Sequence, residues 1–427
     1  MVVGAGIAGL VCATELARAG KSVVVFEAAE TVGGRVRTAR INGCAIDHGF
    51  QVLFTAYPVL ASYLNLSALE LRKFRPAAHV VTADNASLVG DAFSDPTLLL
   101  QTIASRNITV ADKLRLLALR RLARSLSIQD CFSGQFRDST IRSFLAQRGF
   151  SKAAIDGFFA PFYGGILLDR TLSTSASLLL FTFKMLSEGD TAIPAAGMGA
   201  IPEQLASRLP AGTVRTSSPV RALRADAGRI AGVVLADGTA FEATDVVIAT
   251  EPAAAVTLAG SAGVRLHENM NALGSTSLYF VSDRAALPGR SLWLNAEPEA
   301  VISHAVTLTE IAPEYAPGKH LLVATAVGEA AALDDKALDE SARAALSRMM
   351  RVGTAESLPE LSRVAIMRIP YAQFSQPPGF TVQQPVPDSA PAGLWRASEL
   401  MHSSSLEGAA RGGQSAARAL LARNAGT

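Results

Sequence analysis

Three glycines near the amino end constrain what this chain can fold into more than any other feature. Gly4, Gly6 and Gly9 form the pattern G-x-G-x-x-G directly after two valines. The apolar stretch from about Ile7 to Ala19 predicts a helix, and "SVVVFE" predicts a second strand that ends at Glu27. A strand, a tight glycine turn, a helix and another strand are typical of the unit that binds a dinucleotide in doubly wound α/β folds.

Each position of this unit has a physical role in binding a diphosphate. Gly4 permits the sharp turn, Gly6 lets a phosphate approach the backbone, and Gly9 lets the helix pack closely on the strand. The helix N-terminus offers unpaired N–H groups and a partial positive charge. Glu27 follows Gly9 by 18 residues, close to the spacing of a carboxylate that binds ribose hydroxyls. The predicted ligands of this unit are Gly4, Gly6, Ile7, Ala8, Gly9, Glu27 and Ala28.

The segment "TVGGRVRT" after Glu27 distinguishes between dinucleotides. Gly33 and Gly34 allow a second close approach to the backbone, and Arg35 and Arg37 supply cations for a diphosphate. A plain NAD-binding domain would continue directly into its next helix. The segment therefore favours FAD over NAD.

The order of these motifs resembles that of the flavin-containing amine oxidase, phytoene desaturase and protoporphyrinogen oxidase superfamily. The resemblance implies that the first glycines and Arg35 lie at the FAD diphosphate and that Glu27 binds the adenosine ribose. The segment "DHGFQVL" resembles the stretch of the family whose backbone passes beside the flavin ring. That match implies flavin contacts at Gly49, Phe50 and Gln51.

Two later segments carry the same resemblance. The β-meander that leads into "DVVIATEP" implies a backbone contact of Val220 with adenine and places Thr250 near the diphosphate. The segment "ASELMHSSSLEGAARGG" implies that Glu399 approaches the ribityl-diphosphate and that Leu406 opens a helix facing the flavin pyrimidine edge. Ser398 departs from the family, which has glycine there. Ser404 and Glu407 have the spacing of a capping box and predict where the helix starts.

The matches extend from residue 2 to residue 413 of 427, so the resemblance covers the chain. It implies an α/β fold, with an FAD-binding Rossmann-like domain and an inserted α+β substrate domain. The predicted FAD domain comprises residues 1–56, 192–258 and 386–427. The predicted substrate domain comprises residues 57–191 and 259–385, with a helical part at about 97–187.

The substrate side of the sequence favours the desaturase-like branch. "GMGAIP" resembles a segment of phytoene desaturases and protoporphyrinogen oxidases. Ser405 and Ala372 stand where amine oxidases of the family carry the aromatic pair that cages the amine. Tyr371 stands where other members attach the flavin covalently to cysteine, so non-covalent FAD is expected. The candidate pocket residues are Phe159, Phe162, Tyr163 and Tyr371, with core packing as the alternative for the aromatic cluster.

The sequence therefore predicts an FAD-dependent oxidoreductase that dehydrogenates or desaturates a hydrophobic small molecule, isoprenoid- or tetrapyrrole-like, by hydride transfer to flavin N5. An amine oxidase is the alternative within enzymes, and a non-redox lipid carrier of the GDP-dissociation-inhibitor type is the alternative outside them. His48 and His402 lie in the flavin-flanking segments and are candidate acid–base groups or structural histidines. No catalytic residue and no electron acceptor can be assigned.

Composition bears on partners and location. A net charge of +2 gives no argument for nucleic acid, and the cysteines and histidines show no metal-ligand spacing. Three unpaired cysteines favour a reduced, cytoplasmic location, and no apolar run predicts a transmembrane helix. The basic, leucine-rich segment "VADKLRLLALRRLARSL" is interpreted as a bundle helix, or alternatively as a peripheral contact with the inner face of a membrane.

Overall fold

The computed structural model describes residues 1–105, 108–268, 270–380, 386–387 and 389–425. Its strands are β1 Val2–Val3, β2 Val25–Phe26, β3 Thr38–Ile41, β4 Cys44–Asp47, β5 Leu53–Phe54, β6 Leu71–Lys73, β7 Ala77–Val81, β8 Ala86–Gly90, β9 Thr191–Pro194, β10 Val214–Arg215, β11 Val220–Asp226, β12 Arg229–Leu235, β13 Ala240–Glu242, β14 Val246–Ile248, β15 Ala272–Ser282, β16 Leu292–Asn295, β17 Ile302–Thr307, β18 His320–Val327, β19 Ser362–Phe374 and β20 Leu394–Arg396.

The α-helices are α1 Ile7–Arg18, α2 Pro58–Tyr63, α3 Leu99–Ala104, α4 Val110–Ser125, α5 Ile128–Cys131, α6 Gly134–Arg137, α7 Ile141–Gln147, α8 Lys152–Ala154, α9 Ala160–Leu167, α10 Ala176–Glu188, α11 Ala200–Ser207, α12 Pro252–Ser261, α13 Asp335–Thr354 and α14 Leu406–Ala425. A π-helical turn, Ile155–Phe159, joins α8 to α9.

A five-stranded parallel sheet forms the first layer, in the order β10-β2-β1-β14-β20. Val2 pairs with Val25 on one side and with Val247 on the other. The strands β1, β2 and β14 are fully buried, as expected for a parallel sheet covered on both faces. The arrangement confirms the Rossmann-like fold, although β2 is shorter than the predicted "SVVVFE" strand.

The hairpin predicted around Asp237 and Gly238 joins β12 to β13 in an antiparallel meander with β11. This meander connects directly to β14, which returns the chain to the parallel sheet. Strands from the beginning, middle and end of the chain therefore meet in one sheet. The domain boundaries proposed from the sequence stay a prediction.

A second, seven-stranded sheet has the order β19-β15-β18-β17-β16-β7-β8 and is antiparallel except between β16 and β7. Successive residues of β15 face opposite sides of the sheet and pack in different hydrophobic cores. Leu278 and Phe280 pack in the core that contains α13, whereas Tyr279 packs in the core that contains α9 and α10. Helices α3 to α10 occupy residues 99–188 beside this sheet. The fold is thus a mixed α/β structure built around two large sheets, with smaller sheets of two or three strands beside them.

Two negative findings concern the described part of the chain. None of its helices combines the length and apolar character needed to span a bilayer. It also contains no group of three or more histidines, cysteines or acidic residues placed to hold a metal ion. Cys12, Cys44 and Cys131 are buried and unpaired.

Candidate active site

A cavity of about 920 Å³ begins at the carboxyl edge of the parallel sheet. Because β2, β1 and β14 run parallel as neighbours, their carboxyl ends bring Glu27, Gly4 and Thr250 to the same edge. Ligands of open α/β sheets bind at this edge, and the volume suits a large ligand. Every predicted cofactor residue except Gly9 lies on the wall of the cavity.

Gly6 and Gly9 differ in what surrounds them. A Cβ atom built on Gly6 would have no neighbour within 4 Å, so this residue faces open space. A Cβ on Gly9 would lie 2.0 Å from the carbonyl oxygen of Gly4, so Gly9 permits close helix–strand packing. No side chain caps α1, whose first N–H groups lack intrahelical partners. This end of the cavity therefore suits an anion held by backbone amides.

The Glu27 carboxylate is fixed at the end of β2. It accepts hydrogen bonds from the backbone N–H of Ala5 at 2.7 Å and from that of Ala29 at 2.9 Å. An ionised carboxylate has about four acceptor sites, so each oxygen keeps capacity for a further donor. Glu27 can therefore accept bonds from a pair of ligand hydroxyls without losing its backbone partners.

Arg35 forms an ion pair with Glu399 and donates to the carbonyl oxygen of Ala372 at 3.1 Å. Burial opposes ionisation of Glu399, but the guanidinium of Arg35 holds the pKa of this carboxyl below its usual value. The pair joins the glycine-rich segment to a segment 364 residues later in the chain. The charge of Arg35 is therefore largely balanced within the protein.

Segment 48–51, which the sequence predicts to flank the flavin, is held by hydrogen bonds between backbone and side-chain atoms. The N–H of Phe50 donates to Ser277 Oγ at 3.2 Å, and Gln51 Nε2 donates to the carbonyl oxygen of Arg35 at 3.0 Å. Gln51 Oε1 and Thr250 Oγ1 are buried on the cavity wall without a protein partner. Because buried polar atoms are nearly always hydrogen-bonded, these two indicate a polar ligand.

Asp47 anchors the start of this segment, and sequence reasoning missed it. Its carboxylate accepts hydrogen bonds from Thr38 Oγ1 at 2.6 Å, from the N–H of Met198 at 2.9 Å and from the Tyr315 hydroxyl at 2.8 Å. The Tyr279 hydroxyl donates to its backbone carbonyl at 3.0 Å. Burial raises the pKa of Asp47 to about 6 despite these donors. The aspartate in "DHGF" was the available signal, but its partners are distant in sequence.

Helix α14 begins at Leu406, as predicted, but its cap is Ser405 and not Ser404. The hydroxyl of Ser405 accepts the N–H of Gly408 at 2.9 Å and caps α14. The Glu407 carboxylate turns instead to α2 and accepts the N–H groups of Val59 at 3.1 Å and Leu60 at 3.0 Å. Glu407 therefore caps the N-terminus of α2 by accepting its free N–H groups. This interaction joins distant segments, so the local spacing of residues does not predict it.

The far end of the cavity is apolar. Phe162 lies on its wall, as does Tyr371, whereas Phe159 and Tyr163 do not. Phe159 packs against Phe150 with a ring separation of 4.9 Å, inside the core. The two excluded residues are one helical turn apart, so they share the face of the helix that points away from the cavity. The other residues lining this end are Ile166, Leu167, Leu178, Phe181, Thr182, Leu292 and His304.

His304 is the functional candidate that the sequence did not reveal. It is 4% exposed, its ring centre lies 5.3 Å from that of Phe50, and its Nδ1 has no partner. Burial, aided by the charge of Arg170, lowers the pKa of His304 to about 4, so the imidazole is neutral at pH 7. A single histidine within the apolar strand "ISHAVT" was its only sequence signal.

The two histidines singled out from the sequence occupy different places. His48 lies on the cavity wall, where burial and the charge of Arg37 lower its pKa. His402 is not on the wall, and its Nε2 lies 3.3 Å from Ser415 Oγ on α14. Burial lowers the pKa of His402 to about 4. His402 therefore occupies a structural position.

Comparison with known proteins decides the family. The sequence profile described as "Flavin containing amine oxidoreductase" matches residues 7–421. The chain belongs to this family of flavin-dependent oxidoreductases. Membership makes a flavin the expected cofactor and a small molecule the expected substrate.

Individual relatives are more distant than the family match. Protoporphyrinogen oxidase 2 of Arabidopsis thaliana is 29% identical over 166 residues, which cover 38% of this chain and only 31% of that enzyme. An oxidoreductase from Methanosarcina mazei superposes with a TM-score of 0.72 at 19% identity, over 97% of this chain and 98% of that one. Cyclohexylamine oxidase from Brevibacterium oxydans superposes with a TM-score of 0.67 at 18% identity, over 99% and 98%. The structural likenesses show the shared fold.

The cavity fits FAD. The open space at Gly6 and the uncapped start of α1 suit a diphosphate. Glu27 suits a ribose diol, and the unpartnered oxygens of Gln51 and Thr250 suit the polar groups of the dinucleotide.

Proposed function

We propose that this protein dehydrogenates or desaturates a hydrophobic small molecule, isoprenoid- or tetrapyrrole-like, with non-covalent FAD. The observation that carries the proposal is the apolar far end of the cavity. Phe162, Leu178 and Phe181 line it, and His304, neutral at pH 7, contributes an imidazole there. Such a surface favours an uncharged, largely apolar substrate with one hydrogen-bonding group.

The same surface argues against a cationic amine. Ser405 and Ala372, which stand where amine oxidases carry the caging aromatics, both lie on the cavity wall. Among the described wall residues, the carboxylates are Glu27, Glu251 and Glu399, at the cofactor end. The aromatic pair that cages an amine is thus missing from these two positions, and no carboxylate of the described wall lies at the far end to stabilise an ammonium group.

The chain's contribution to the reaction is mainly orientation and exclusion of water. The chemistry that FAD would supply here is acceptance of a hydride from the substrate carbon. Phe50 and Leu406 lie where they can hold the flavin ring, and the apolar residues beyond them keep the reacting carbon dry. His304 can donate or accept one hydrogen bond at Nδ1 and so orient the substrate.

Non-covalent FAD can be tested with the visible absorption spectrum of the purified protein before and after denaturation and filtration. We expect a flavin spectrum that passes into the filtrate, because Tyr371 cannot form the thioether bond that a cysteine forms. Colour retained with the protein would contradict non-covalent binding. A colourless protein that also fails to take up added FAD would favour the carrier alternative.

The substrate class can be tested by anaerobic bleaching of the flavin with isoprenoids, tetrapyrroles and amines. We expect bleaching by apolar compounds, and His304→Leu is expected to raise the substrate KM about fivefold, from loss of one hydrogen bond near 1 kcal/mol. FAD content, measured in the same samples, should not change. Bleaching by amines alone would replace the proposal with amine oxidation.

A further inference from the structure

Exposed apolar side chains are concentrated in one segment of the surface. Of the eight large apolar side chains that are exposed in the described residues, six fall between residues 93 and 117. They are Phe93, Leu99, Leu100, Val110, Leu114 and Leu117, with exposed fractions from 46% to 78%. The other two, Val256 and Met270, are far from this segment in sequence. Exposed apolar side chains mark an interaction surface where they adjoin in space, as Phe93 and Leu117 do on the wall of one hollow.

Helix α4 organises the patch. With 100° per residue, Val110, Leu114, Leu117, Arg121 and Arg124 fall within an arc of about 80°. All five are exposed. The stripe is apolar in its first two turns and cationic in its last two. The buried residues Asp112, Leu119 and Ala123 lie on the opposite side of the helix.

The cationic half of the stripe borders a shallow hollow of about 350 Å³. Its wall consists of Phe93, Leu117, Arg120, Arg121 and Arg124. Arg120 pairs with Asp91 at 3.3 Å and stacks over the Phe93 ring at 4.8 Å, which holds that ring beside the arginines. Apolar and cationic groups therefore adjoin on one surface.

We propose that this face docks the protein on an anionic phospholipid bilayer. Val110, Leu114 and Leu117 enter the boundary of the acyl chains, and Arg121 and Arg124 contact the headgroup phosphates. An exposed apolar stripe that adjoins basic residues is the pattern of helices that lie in a membrane interface. Each basic residue near an anionic surface adds to the attraction.

The charge of α4 favours a bilayer over a second copy of this chain. The helix carries five basic residues, and its one acid, Asp112, is buried and hydrogen-bonded to Thr109 and Ser151. A two-fold contact would bring the same basic residues of two copies together. An anionic surface instead neutralises them.

The position of the face suits the proposed apolar substrate. Helix α4 packs on α10, and Lys184 of α10 donates to the carbonyl oxygen of Arg124 at 3.5 Å. The residues Leu178 and Phe181 of α10 line the far end of the cavity. One helix thus separates the docking face from the proposed substrate site, although docking itself does not depend on the proposed reaction.

The test is flotation of the FAD-loaded protein with vesicles of phosphatidylcholine alone or mixed equally with phosphatidylglycerol. We expect flotation with the anionic vesicles and at least tenfold weaker binding for the double variant Leu114→Glu/Leu117→Glu. Arg121→Gln/Arg124→Gln is expected to weaken binding on the order of tenfold in about 0.1 M salt and less in about 1 M salt, where charges are screened. Met270→Glu, another exposed apolar position, should bind like the wild type.

Size-exclusion chromatography of the same samples identifies a competing occupant. A dimer that Leu114→Glu/Leu117→Glu converts to a monomer, without flotation, would assign the face to a second copy. Failure of the wild type to float, or unchanged flotation of that double variant, would overturn the proposal. Because flotation does not measure turnover, its outcome is independent of whether the proposed substrate class is correct.

Discussion

Gly6→Val is expected to weaken FAD binding about a hundredfold while leaving the fold intact. A Cβ atom at Gly6 meets no atom within 4 Å, and the backbone there is extended, with φ −74° and ψ 177°, which any residue adopts. The added side chain would instead occupy the space in which a phosphate approaches the start of α1. Loss of one or two charge-assisted hydrogen bonds weakens binding by about 3 kcal/mol, or roughly a hundredfold.

Matched glycine variants separate binding from folding in this experiment. Gly260→Val also places a side chain in open space, on α12 and away from the cavity, and should keep both FAD and thermal stability. Gly9→Val would meet the Gly4 carbonyl and should lower the melting temperature of the apoprotein. Fluorescence titration measures the affinity for FAD, and differential scanning calorimetry measures the Tm of each apoprotein. A Gly6→Val protein that retains wild-type affinity would show that the diphosphate lies elsewhere.

The parts of this protein that sequence predicts well are those in which each residue acts through its neighbours in the chain. The turn at Gly4 to Gly9, the buried strand β14 and the hairpin at Asp237 all follow from local backbone preference and hydrophobic period. Parallel pairing then brings Glu27 and Thr250 to one edge of the sheet. Most of the proposed cofactor site was therefore accessible to sequence reasoning.

The features that sequence reasoning missed depend on contacts between distant segments. The Arg35–Glu399 pair joins residues 364 positions apart, and Glu407 caps a helix about 350 positions earlier. In each case, the sequence around one residue does not predict which distant residue it contacts. His304 becomes a cavity residue only because its strand lies beside α9 in the folded chain.

Asp47→Ala is expected to produce the largest loss of stability among the substitutions considered. The carboxylate is fully enclosed and accepts from Thr38, Met198 and Tyr315. Alanine would leave three buried donors without an acceptor, and each unmet group costs about 1–3 kcal/mol. We expect the free energy of unfolding to fall by about 4 kcal/mol, measured by urea denaturation. A loss below about 1 kcal/mol would mean that water replaces the carboxylate.

Asp47→Asn tests the same site through its pH dependence. Burial raises the pKa of the folded carboxyl to about 6, above its ordinary value of 3.8. The folded state therefore binds the proton more tightly, so Asp47 contributes stability at low pH that is lost as the pH rises through about 6. Between about pH 4.5 and about pH 8, the stability of the wild type relative to Asp47→Asn should fall by about 2 kcal/mol. A difference that does not vary with pH would show that the folded carboxyl titrates as it does in the unfolded chain. The three donors would then outweigh burial, and the anchor of the flavin-flanking segment would be a permanent carboxylate.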